Sequence, residues 1–134
     1  MLTGSCLCGG VKYEATGPLL AMARCHCVQC RKASGAEFAT NGSVASDGFR
    51  IVTGEGLLAR WESSPGQFRV FCGRCGSPLF KEDKARPDHV RLRLGCLDSD
   101  QEQTPLFHVF ASQKPSWSQI TDDLPQYPRL PEKR

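Results

Sequence analysis

The chain has 134 residues, with 17 Lys and Arg against 14 Asp and Glu and a formal charge of +3. That length fits one domain, the charge is too small to mark a nucleic-acid-binding surface, and no apolar run approaches the roughly 20 residues that span a bilayer. With 13 glycines, 9 prolines and only 8% aromatic residues, the composition favours short strands and turns over long helices. A turn-rich domain of this size calls for a staple beyond its hydrophobic core.

Met1-Leu2-Thr3-Gly4-Ser5 runs into Cys6-Leu7-Cys8 without a charged and then apolar leader, so a cytoplasmic address with reduced cysteines is expected. Gly9-Gly10 places that cysteine pair on a turn. Val11 to Ala15 alternates and reads as a strand, ended by Gly17-Pro18. Leu19 to Arg24 reads as a second strand, delivering Cys25-His26-Cys27-Val28-Gln29-Cys30. Val28 to Ala33 holds no breaker, which predicts a helical turn or short helix before Gly35. Phe49 to Thr53 and Leu57 to Trp61 read as a hairpin around Gly54-Glu55-Gly56. Phe68 to Phe71 leads into Cys72-Gly73-Arg74-Cys75, and Ser77 to Phe80 continues beyond it. Val90 to Leu94 alternates as a half-buried strand should, and Leu106 to Phe110 reads the same way. After Pro115 the chain is irregular, with prolines at 125, 128 and 131. The fold class is therefore mostly β, with one or two short helices.

Seven of the eight cysteines fall into these clusters, and they divide as four plus three. Zinc takes thiolates at about 2.3 Å in a tetrahedron, and ligands two or three residues apart on a turn reach that geometry with little strain. Two pairs make a closed four-thiolate site; Cys25, Cys27 and Cys30 make a second site with one position open to water or substrate. Spacing alone does not say which pair joins which. A disulfide scaffold is the competing reading, and C-x-C spacing suits it poorly; two purely structural metals are another. Seven thiolates and two Zn²⁺ bring the formal charge of +3 close to zero, so the basic excess reads as a counterweight to thiolate charge. Cys96 is left over and reads as an inert buried residue. His26, inside the C-x-C, reads as a neighbour of the metal and not a ligand. His89 reads as solvated, His108 as packed in a core, and Trp117 as a core residue. Arg31 and Lys32 adjoin Cys30. They would offset the negative charge of a three-thiolate centre or engage a substrate carboxylate, against the plainer reading of a solvated helix face.

Three stretches, taken in order, resemble the glutathione-dependent formaldehyde-activating enzyme (GFA) family, whose domain also occurs in centromere protein V. They are Gly4-Ser5-Cys6-Leu7-Cys8-Gly9, Cys25-His26-Cys27-Val28-Gln29-Cys30-Arg31-Lys32-Ala33-Ser34-Gly35, and Phe71-Cys72-Gly73-Arg74-Cys75-Gly76-Ser77-Pro78-Leu79. A looser tail match runs through Gly95-Cys96-Leu97-Asp98, His108-Val109-Phe110, Lys114-Pro115-Ser116-Trp117 and Asp123-Leu124-Pro125. The resemblance implies an Mss4-like, zinc-stapled folded β-sheet over residues 1–128, with 129–134 a frayed tail. It implies a structural zinc on Cys6, Cys8, Cys72 and Cys75, and a catalytic zinc on Cys25, Cys27 and Cys30. It implies a carbon–sulfur lyase acting on a small-thiol adduct, with glutathione and formaldehyde giving S-(hydroxymethyl)glutathione, and no nucleic-acid or membrane partner. The alternative is a non-catalytic zinc-binding interaction module or a glutathione carrier.

Overall fold

The computed structural model describes residues 1–131. The described residues form ten strands in two sheets and one α-helix. The small sheet is antiparallel, in the order β1 (Leu2–Ser5), β2 (Lys12–Ala15), β5 (Phe49–Thr53). The large sheet contains β3 (Leu20–Cys25), β4 (Ala39–Ala45), β6 (Leu58–Ser64), β7 (Gln67–Cys72), β8 (Pro78–Asp83), β9 (His89–Arg93) and β10 (Phe107–Val109). Its order is β10-β3-β4-β9-β8-β7-β6. Only β10 runs parallel to its neighbour, β3. Helix α1 (Val28–Ser34) follows β3 directly. This is the mostly β, folded-sheet architecture expected, with a single α-helix.

Period-two alternation divides the two faces of the large sheet. Val70, Phe80, Leu92 and Gly42 are cross-strand partners in one row. Val70, Phe80 and Leu92 are buried in the main core. Gly42 leaves space for Leu19, whose Cδ1 would lie 2.5 Å from any Cβ there. The small sheet packs on this face through Leu2, Tyr13 and Ala15. Phe49 bridges the layers, with its ring 5.4 Å from Tyr13 and 4.9 Å from Phe80. The next row on the same strands, Arg69, Lys81, Arg91 and Ser43, turns to the opposite face, where α1 lies.

Two sequence expectations need correction. The segments around Gly54 are not a hairpin: β5 pairs with β2 in the small sheet and β6 pairs with β7 in the large one. Gly54 (φ +85°) and a 3₁₀ turn over Glu55–Leu57 carry the chain from one sheet to the other. A Cβ at Gly54 would sit 2.0 Å from the Gly10 carbonyl oxygen, so only glycine allows the two segments to approach this closely. Trp117 is 68% exposed and not a core residue. Of the tail expected to fray, residues 132–134 lie outside the described residues; at Arg129 the backbone carbonyl accepts from Phe110 N at 3.2 Å.

Gly54→Ala combines a disfavoured backbone region with a backbone clash and should cost about 2 kcal/mol or more. Gly56→Ala, where a Cβ meets nothing within 4 Å, should stay within about 1 kcal/mol of the parent. Urea unfolding of both variants measures the contrast.

Candidate metal centres

The four sulfurs of Cys6, Cys8, Cys72 and Cys75 lie within 4.8 Å of one another, as do the three of Cys25, Cys27 and Cys30. The first cluster joins the turn after β1 to the turn between β7 and β8. Its Sγ–Sγ distances include 3.5 Å (Cys6 to Cys8) and 3.8 Å (Cys8 to Cys72). A tetrahedron with 2.3 Å metal–sulfur bonds has edges of about 3.8 Å, so the donor set fits zinc without rearrangement. N–H groups already point at the sulfurs. Val11 N donates to Cys6 Sγ at 3.2 Å, and the Arg74 guanidinium donates to Cys8 Sγ through Nε at 3.3 Å and Nη2 at 3.2 Å. The amide of Gly10 and the Arg74 guanidinium hold the Cys8 thiol below its ordinary range. Hydrogen bonds from the Ser77 hydroxyl and amide bring Cys75 down to about 5. Such donors favour thiolates, the state that metal needs.

The second cluster is built at the β3–α1 junction. Cys27 is the N-cap of α1, and its sulfur accepts from Cys30 N at 3.2 Å. Gly35, in the left-handed region, ends the helix and donates to Arg31 O at 2.8 Å. Cys25 and Cys30 are buried. Hydrogen bonds from the Cys25 and Cys27 thiols hold Cys30 well below the usual thiol range, with Arg93 and Arg69 adding to the effect. Cys25, donating to Cys27 and Cys30 and buried as well, is pushed up. Arg69 Nη2 lies 3.7 Å from Cys30 Sγ.

The trio opens on a cleft of about 600 Å³, within the range of small-molecule sites. Its floor is the polar face of the large sheet, including Arg69, Lys81 and Arg91, and its rim includes Val28, Val109 and Phe110. Phe110 has φ +53°, a region a bulky side chain seldom occupies. Arg31 and Lys32 are not among the residues that line the cleft. The Arg31 guanidinium donates to the carbonyls of His26 and Gln113, each at 3.3 Å, so it braces the cysteine turn. Lys32 is exposed. Arg69, Lys81 and Arg91 face the cleft from strands whose charged positions look, in sequence, like solvent-facing alternation, and Arg86 joins them from the loop between β8 and β9.

His26 is buried and outside both thiol clusters. It belongs to a chain of bonds absent from the sequence reading. His26 Nε2 lies 2.8 Å from His108 Nδ1, and His108 Nε2 lies 3.0 Å from both carboxylate oxygens of Asp122. A carboxylate accepts, so His108 Nε2 carries a proton, and in the neutral ring His108 Nδ1 then accepts from His26 Nε2. Burial and the neighbouring His108 push His26 down to about 4, which keeps it neutral at neutral pH. The parallel pairing of β10 with β3, Val109 opposite Cys25, delivers His108 to this position. His89 is half-exposed, lines the cleft, and lies 3.2 Å from Asp88. Cys96 belongs to neither cluster; its thiol donates to Pro78 O at 3.1 Å, and burial raises its pKa.

A small, mostly β domain with a four-sulfur cluster and a three-sulfur cluster facing a cleft belongs to the class of folded-sheet proteins whose clustered cysteines could hold metal ions. The sequence profile of the glutathione-dependent formaldehyde-activating enzyme matches residues 1–113, and the chain is a member of that family. A Halomonas elongata protein with the provisional name of glutathione-dependent formaldehyde-activating enzyme is 34% identical over 129 residues, covering 90% of this chain and 81% of that protein. The crystal structure of a Rhodobacter sphaeroides protein superposes with a TM-score of 0.62 at 23% identity, over 74% of this chain and 90% of that one; this likeness concerns the fold. Among the described residues no helix is long and apolar enough to cross a membrane.

His108→Phe removes both bonds of the His26–His108–Asp122 chain and leaves a buried His26 N–H unpaired. Urea unfolding should show a loss of about 1–3 kcal/mol, whereas His89→Phe at the half-exposed position should stay within about 0.5 kcal/mol.

Proposed function

We propose that the chain is a zinc-dependent carbon–sulfur lyase that makes or breaks the bond between a small thiol and an aldehyde carbon. The family and the named Halomonas relative point to glutathione and formaldehyde as the pair. The observation that carries this reading is the three-thiolate cluster opening on a cleft, beside a four-thiolate cluster with no protein ligand to spare. Two zinc ions per chain, Cys6, Cys8, Cys72 and Cys75 as structural ligands, Cys25, Cys27 and Cys30 as catalytic ones, and a cytoplasmic address belong to the same proposal.

Zinc held by Cys25, Cys27 and Cys30 would supply a soft Lewis acid that keeps an incoming thiol deprotonated. The net reaction joins the thiol sulfur to the carbonyl carbon and moves the thiol proton to the carbonyl oxygen; the reverse breaks the carbon–sulfur bond. The chain's own residues position the thiol. Val28, Val109 and Phe110 give the cleft an apolar wall against water, and Gln29, Ser64 and Gln67 supply polar groups along it. Hydrogen bonds from the Cys25 and Cys27 thiols, then Arg93 and Arg69, favour negative charge at Cys30.

Two substitutions separate this reading from a module with two structural metals. Cys72→Ser should unfold the chain, since a structural zinc contributes on the order of 10 kcal/mol in small zinc domains. Cys27→Ser should keep the far-ultraviolet circular dichroism of the parent, because a serine hydroxyl can take over the helix cap at Cys30 N, and should abolish thiol binding. Unfolding of both to the same degree would make both centres structural and sink the lyase reading. In the parent, zinc K-edge absorption should gain a sulfur neighbour when glutathione is added.

A further inference from the structure

The edge of a β-sheet carries a row of unpaired amides and carbonyls, and proteins cover or blunt such edges. The large sheet ends at β10 on one side and at β6 on the other. β10 is covered by the C-terminal segment: His108 N donates to Pro125 O and Tyr127 N to His108 O, each at 2.9 Å. In the small sheet β1 is covered at Thr3 O by the amides of Asp98 at 2.8 Å and Ser99 at 3.2 Å. β6 has no such cover. Among the described residues, no hydrogen bond from outside the pairing with β7 reaches the backbone of Arg60, Trp61 or Glu62, and all three are exposed. Neither proline nor lysine blunts the strand. Its outward-facing groups follow from the register. Gly73 N donates to Leu57 O at 2.7 Å, and antiparallel pairs alternate between bonded and non-bonded. Leu57, Ala59 and Trp61 therefore bond to β7, and the amides and carbonyls of Leu58, Arg60 and Glu62 point out along the edge.

We propose that β6 pairs antiparallel with β6 of a second copy of this chain, the two-fold axis passing through Trp61, so that the large sheets of two copies become one. Charge complementarity selects this occupant. Trp61 is the middle residue of the strand, with a cation at Arg60 on one side and an anion at Glu62 on the other. An antiparallel self-pair centred there sets Arg60 of each copy opposite Glu62 of the second copy, and opposite charges so placed attract. These are the residues whose backbone groups face outward, so each such pair exchanges both N–H···O bonds. Trp61, 66% exposed, meets its own counterpart at the axis in a non-bonded position, where side chains stand closest and aromatic pairs contribute most. Both charged side chains are already steadied on their own strand's side: Arg60 Nε donates to Glu82 at 2.9 Å, and Glu62 Oε2 accepts from Gly66 N at 3.1 Å. β5, at the edge of the small sheet, lacks this symmetry. Arg50 and Val52 flank its middle residue Ile51, and self-pairing would set a charge against an apolar side chain.

The contact is one strand wide, which places it among the smaller interfaces, and half-association is expected at about 10–100 μM. Sedimentation equilibrium of the zinc-loaded full chain in reducing buffer, over that range, reads it directly. Arg60→Glu sets Glu against Glu across the axis, and Glu62→Arg sets Arg against Arg. Each should weaken self-association about tenfold or more. Both sites are exposed, so each variant should keep the circular dichroism of the parent. An equimolar mixture of the two variants restores opposite charges at every position, and it should associate as the parent does. The double variant Arg60→Glu with Glu62→Arg should do the same alone. A parent that stays monomeric at 100 μM (order of magnitude) overturns the proposal and leaves the edge to a different protein's strand. A parent dimer that neither single variant weakens places the contact on another face and overturns it equally. Loss in both single variants with no recovery in the mixture or the double variant rejects the register through Trp61.

Discussion

The convergence of Cys8 on Cys72, sixty-four positions apart in the chain, is the constraint on which the rest of the structure depends. It ties the end of the small sheet to the turn between β7 and β8, and so sets one layer against the other. Closing so long a loop carries an entropic cost that rises slowly with length, and the four sulfurs gathered within 4.8 Å of one another mark the single point at which it closes. Once the layers are fixed, Phe49 stacks between Tyr13 and Phe80. The inner face of the large sheet is then fully committed to packing, and its outer face is left to α1 and the cleft.

The two cysteine clusters differ in what surrounds them. The four-sulfur cluster draws its donors from turn amides, Arg74 and Ser77, and offers the four sulfurs that a closed tetrahedral site takes. The three-sulfur cluster is flanked by buried cations and faces a cavity. The four-sulfur cluster joins distant segments of the chain, and the three-sulfur cluster faces the cleft.

Much of this was legible in the amino-acid sequence where the signal was local. C-x-C, C-x-C-x-x-C and C-x-x-C beside glycine marked seven sulfurs, and the alternation of Val90 to Leu94 marked β9. Non-local facts were not legible. The joining of Cys6 and Cys8 with Cys72 and Cys75 came from resemblance and not from spacing. β4, central in the large sheet, carries Thr40, Asn41, Gly42 and Ser43, residues with no strand pattern until Leu19 is seen to fill the space over Gly42. Gly54 looked like a hairpin turn because its close approach to Gly10 cannot be seen in one segment. Arg31 and Lys32 drew attention by sequence adjacency to Cys30. The residues that line the cleft, Arg69 and Lys81, come from strands forty and fifty positions onward, and only register brings them opposite each other. His108 read correctly as buried, but its partners His26 and Asp122 required the parallel pairing of β10 with β3.

That parallel pairing sets an order of assembly. Cys25, Cys27 and Cys30 leave the ribosome within six residues of one another, at the end of β3 and the start of α1. Cys6 and Cys8 emerge earlier yet wait for Cys72 and Cys75. The wall formed by Val109 and Phe110, and the Asp122 that orients His108, come last of all. Domains generally acquire their non-local contacts only when the distant partner has been made. A nascent chain therefore exposes the three-cysteine turn to the cell's metal and thiol pools before the cleft beside it has walls or a floor.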